Sequence, residues 1–132
     1  MIIHLGGAGI GDKRWNNKRK KLIIDSRKHS TTLLSDTMSK LEKKPEAFIV
    51  ASAIGYYGNR DDEELTEDSP PGDGFLTETV IQWESYADSA RDAGIRVVNT
   101  RNGIVLSAAG GALERMLLPW KMGGGGPLAG GK

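Results

Sequence analysis

The feature that most limits what this chain can fold into is an alternation of three short apolar runs with long polar stretches of helical spacing. Ile2-Ile3-His4-Leu5 is the first run, closed by Gly6-Gly7. Ala47-Phe48-Ile49-Val50-Ala51 is the second, set between Pro45 and the Gly55–Gly58 region, and Ile95 to Thr100 is the third. The second run is continuously apolar and reads as a strand buried on both faces, the first as a buried strand ending in a tight turn, and the third as a further strand. From about Trp15 to Leu41 the chain is polar, interrupted by Leu22, Ile23, Leu34, Met38 and Leu41. The spacing of the last three fits one face of a helix, and Pro45 stops it. A second helix is expected from Thr77 to Ala93, with Val80, Ile81, Tyr86, Ala87 and Ala90 facing inward and Gly94 as its stop. A third covers roughly Gly111 to Trp120, before a glycine-rich tail from Gly123 to Gly131.

Strands alternating with helices imply right-handed βαβ units and a parallel sheet. The expectation is therefore an α/β fold: a partial Rossmann-like parallel sheet of about three strands with crossover helices, residues 1–132 forming a single domain. The first two helices fall on one face, leaving the other face and one edge strand short of cover.

Composition narrows the function. At 38% hydrophobic and 27% charged residues the chain can build a core, and its net charge of +1 lacks the strong field of a nucleic-acid binder. Lys13, Arg14, Lys18, Arg19, Lys20 and Lys21 form a local basic cluster, with positions 14, 18 and 21 on one helical face, read as solvated. With no cysteine and two histidines that are not at a ligand spacing, neither thiol chemistry nor a metal site is expected. Asp61 to Glu64, Glu67 and Asp68 lack the ligand alternation of a calcium loop and read as solvated loop. No apolar run reaches membrane-spanning length, so a cytoplasmic location with no membrane partner is expected.

The opening strand and Gly6–Gly11 suggest the phosphate-binding turn of a dinucleotide fold. The spacing is not G-x-G-x-x-G, however, and Asp12-Lys13-Arg14-Trp15-Asn16-Asn17 stands where an apolar helix start belongs. An ordinary turn is the competing reading.

Several strings in order carry a resemblance. They are His4-Leu5-Gly6-Gly7-Ala8, Ile10 to Trp15, Ser26-Arg27, Ser52-Ala53-Ile54-Gly55-Tyr56-Tyr57-Gly58, Thr66 to Phe75, Trp83-Glu84, Arg101-Asn102-Gly103-Ile104-Val105-Leu106 and Gly126-Pro127-Leu128. Together they resemble the atypical extended short-chain dehydrogenases, the NAD-dependent epimerase-family proteins. The resemblance implies the central part of an NAD(P)-binding Rossmann domain, with the N-terminal glycine-rich βαβ half and the C-terminal substrate segment absent. It also implies that Gly6, Gly7 and Ala8 line the diphosphate and ribose of NADP or NAD, and that Arg14 faces the phosphates. Ser52 would bond the reacting carbonyl or hydroxyl, with Ala53 beside it at the cofactor, and Arg101, Asn102 and Gly103 would approach the nicotinamide. A buried serine bonded to backbone and a structural ion pair of Arg101 are the competing readings.

The usual tyrosine acid with a lysine four residues on is missing, because no Tyr-x-x-x-Lys occurs in the chain. Tyr56 or Tyr57 is the substitute acid, against a reading as packed aromatics. The expected function is a truncated NAD(P)-binding epimerase or oxidoreductase-like domain of uncertain catalytic competence. The alternative is a non-enzymatic oligomerisation module on the same scaffold. Either one predicts a homo-oligomer, through the exposed first strand or the two long helices.

Overall fold

A computed structural model describes residues 1–107, 109–124 and 126. Pro127 and Leu128, the end of the last resembling string, lie outside the described residues.

Strand β1 (Ile2–His4), helix α1 (Asn17–Ser39) and strand β2 (Ala47–Ala53) come first. A single 3-10 turn (Ile54–Tyr56) leads through the acidic loop to α2 (Phe75–Ser85), α3 (Asp88–Asp92), β3 (Arg96–Asn102) and α4 (Gly111–Lys121). The strands form one sheet in the order β1-β2-β3 with both pairings parallel, as the alternation predicts. Asn16 starts α1 by accepting a 2.8 Å hydrogen bond from the Arg19 amide, an ordinary N-cap.

Register explains where the core lies. Ile2, Phe48 and Val97 form one row across the sheet, and His4, Val50 and Asn99 the next on the same face. Against these rows pack Met38 of α1, Trp83 of α2, Ala87, Ala90 of α3 and Ile95. Polar ties join the helices: Ser35 Oγ accepts from the Ala90 amide at 2.8 Å and lies 2.7 Å from Ser89 Oγ, which donates to Asp36. The opposite face carries the row Ile3, Ile49, Val98, with Ile3 55% and Val98 36% exposed.

Two expectations need correction. The helix foreseen from Thr77 to Ala93 is two helices, because the chain turns at Tyr86 and Ala87 to bring Ala90 over the sheet, and Ile81, one position past the buried Val80, points outward at 42% exposure. Arg14 also precedes α1, so it shares no helical face with Lys18 and Lys21.

Phe48 is fully buried at the centre of this core. Phe48→Ala is expected to cost about 3–5 kcal/mol, cavity included, read as a lowered midpoint in urea denaturation with unchanged slope.

Candidate functional site at the carboxyl edge of the sheet

Parallel pairing places the carboxyl ends of all three strands on one edge, where open α/β sheets hold their ligands. Gly6-Gly7-Ala8 follows β1, Ser52-Ala53 ends β2 and Arg101-Asn102-Gly103 ends β3. The residues singled out from the sequence therefore meet on one edge, with Arg14 the exception. It lies in the exposed loop before α1 and makes no hydrogen bond or ion pair among the described residues.

The loop after β1 is held from behind. Ala8 donates its amide to Ser26 Oγ at 3.0 Å and accepts from Arg27 Nη1 at 3.1 Å, so two consecutive residues of α1 hold both of its backbone polar groups. His4 Nε2 lies 3.0 Å from Ser30 Oγ, one turn further along the same helix, and burial pushes the His4 pKa down. The glycines are required by this packing. A Cβ on Gly6 would sit 2.8 Å from the His4 ring, and one on Gly7 3.1 Å from Arg27 Cζ. The outer surface of Gly6 and Gly7 is exposed backbone without side chains.

A second cluster closes the other end. Ser52 and Arg101 are register partners on the helix-facing side, so both reach Glu84 of α2. Ser52 Oγ donates to Glu84 Oε1 at 2.6 Å, while Arg101 donates from Nε and Nη2 to the two carboxylate oxygens at 2.9 and 3.0 Å. Arg101 Nη1 donates to Tyr57 Oη at 2.9 Å and to the Glu67 carbonyl at 3.2 Å. Its guanidinium also lies 3.5 Å over the Tyr56 ring, which meets Tyr57 edge-on. All three guanidinium nitrogens of Arg101 thus donate to groups of the chain itself, and Ser52, 4% exposed, directs its proton at a carboxylate. An open cavity of about 440 Å³ lies beside this cluster, lined by Tyr57, Glu67, Glu84, Asn99, Thr100 and Arg101.

Burial works against the Glu84 carboxylate, but hydrogen bonds from Arg101 and Ser52 and the nearby arginine charges outweigh it and hold its pKa below the usual range. Sequence reading did not assign Glu84 or Arg27. Trp83-Glu84 and Ser26-Arg27 stood out only as strings, and their partners lie far away along the chain.

No family model matches the sequence. An epimerase family protein of Mycobacterium tuberculosis is 37% identical over 131 residues, 99% of this chain and 43% of its own length. The human epimerase family protein SDR39U1 is 37% identical over 132 residues, 98% of this chain and 45% of its own. Over the stretch it spans, the chain is similar to these epimerase family proteins. Among solved structures, human epimerase family protein SDR39U1 (isoform 2) with NADPH superposes on this chain with a TM-score of 0.85 at 36% identity, covering 98% of this chain and 44% of that one. A nucleoside-diphosphate sugar epimerase of Corynebacterium glutamicum gives 0.82 at 36% identity, covering 99% and 27%. The chain thus spans less than half the length of the relatives it matches.

Loss of the Glu84 charge has a signed consequence. A carboxylate with a depressed pKa adds stability above its ordinary value of 4.5 and loses it as it protonates below that value. Glu84→Gln is expected to cost about 2 kcal/mol at neutral pH. The gap from wild type should close in acid, and a gap that stayed constant from neutral to acid pH in paired urea melts would rule out this linkage.

Proposed function

We propose that this chain forms the diphosphate and nicotinamide end of a dinucleotide site in an epimerase-like oxidoreductase, with NADPH as its cofactor. One observation carries the reading. Three strand ends converge on one edge, and there Gly6-Gly7 offers a surface of bare backbone, backed by a cation, that suits a diphosphate. Support comes from the human relative solved with NADPH, which shares 36% of its residues over 98% of this chain.

Gly6 and Gly7 would hold the diphosphate, and the exposed backbone of Asn102 and Gly103 would border the nicotinamide. When bound, the dinucleotide supplies hydride exchange. The chain's own residues do the rest: Glu84 holds Ser52 and Arg101 in place, and Arg101 in turn orients Tyr57 by its hydroxyl. Tyr57 is the hydroxyl best placed to exchange a proton at that end. Phe75, which heads α2, has none to give.

Titration of the ¹⁵N-labelled chain with NADPH tests the proposal. Saturable amide shifts at Gly6, Gly7, Asn102 and Gly103 are expected, beyond those from chloride at equal ionic strength. No shift at these positions in millimolar NADPH would remove the cofactor assignment.

A second reading, a self-associating module, is favoured by the apolar row Ile3, Ile49, Val98 and the unpaired edge of β1. Its occupant is a second copy of the chain. Sedimentation equilibrium should then show a dimer that Ile3→Lys dissociates, whereas a monomer at all concentrations would dismiss it.

A further inference from the structure

The side chain of Arg27 is an unusual thing to find beneath a glycine loop. It is 6% exposed, yet no carboxylate pairs with it among the described residues. Its partners are neutral: the carbonyls of Ala8 and Ile23 at 3.1 and 3.0 Å, and the Trp83 ring, whose centroid lies 4.6 Å from Cζ. Burial pulls its pKa down, but a guanidinium remains protonated. A buried cation is normally paired, because its desolvation is only partly offset by carbonyls and a ring face.

The geometry around it is directional. The guanidinium lies directly behind Gly7, so close that a methyl group on that residue would stand 3.3 Å from Nη1. In front of Gly7 is solvent. The charge is therefore separated from the outer surface of the loop only by backbone, in a setting where water screens it poorly. Ser26 completes the arrangement by taking the Ala8 amide proton, so the loop cannot rotate away from the cation without breaking two hydrogen bonds at one residue.

We infer that Arg27 is the positioning residue of a multivalent-anion seat on the outer face of Gly6-Gly7, fixing the loop through Ala8 and supplying from behind the charge that a diphosphate neutralises. The inference deepens the dinucleotide proposal and rests on it for the identity of the ligand, but the seat itself requires only the anion.

The test uses the full chain with Arg27→Met, which keeps much of the bulk without the charge, and Arg27→Lys, which keeps the charge. Each is titrated with inorganic pyrophosphate and with NADPH against chloride of matched ionic strength, reading melting temperature and the amides of Gly6 to Ala8. Pyrophosphate should raise the wild-type melting temperature beyond chloride and shift those amides. Arg27→Met should bind pyrophosphate roughly tenfold more weakly while melting cooperatively, and Arg27→Lys should recover most of the response. A wild type indifferent to pyrophosphate, or an Arg27→Met variant that responds as wild type does, overturns the inference. Should Arg27→Met fail to fold, the lysine variant decides: retained response supports the charge, and a folded variant without response refutes it. NADPH shifting the loop equally in wild type and Arg27→Met would defeat this inference and spare the dinucleotide proposal. A pyrophosphate response without an NADPH response would do the reverse.

Discussion

The parallel pairing of β2 with β3 over seven residues is the constraint from which the rest follows. A parallel ladder leaves no freedom over direction: once β2 is buried between two partners running the same way, every strand end and the loop after it is delivered to one edge. It also fixes facing. Along β2 the helix-side positions are Phe48, Val50 and Ser52, and along β3 Val97, Asn99 and Arg101. The change from apolar to polar along these rows is the point where core becomes site. Glu84 sits opposite that transition, so a single carboxylate joins the last polar residues of two strands to a helix.

The strand order, the parallel sense and the one-sided placement of the first helices were legible because each depends on local pattern: apolar runs of strand length, helical spacing, and the handedness of crossovers. What was not legible depends on distance. The break at Tyr86 and Ala87 carries no proline or glycine, and it arises because α3 must lie over Ile95 and the sheet while α2 aims Glu84 at the strand ends. Ser26 and Arg27 look like ordinary polar helix residues until the loop after β1 folds back over them, a contact nineteen positions away in sequence for Arg27. Arg101 was readable as a strand-end cation, but its four partners come from the 3-10 region, the acidic loop and α2.

The two candidate ends differ physically. The Glu84 end is charge-paired, its carboxylate held by Arg101 and Ser52. At the Arg27 end only Nη1 donates hydrogen bonds among the described residues, and no carboxylate balances the charge. An edge built this way is charge-paired on one side and electrostatically open on the other. That asymmetry suits a ligand with a charged middle and a neutral reactive end.

Arg115 links α4 to this edge, donating to the Gly11 carbonyl and lying 3.9 Å from Asp12. No residue of α4 is buried, and Pro119 lies within it. The helix therefore reaches the very loop that leaves β1 through polar contacts, and its apolar Leu113, Met116 and Leu117 are only half-buried. Local opening of such an element takes little free energy, so α4, tied by Arg115 to the loop after β1, is expected to loosen before the sheet does.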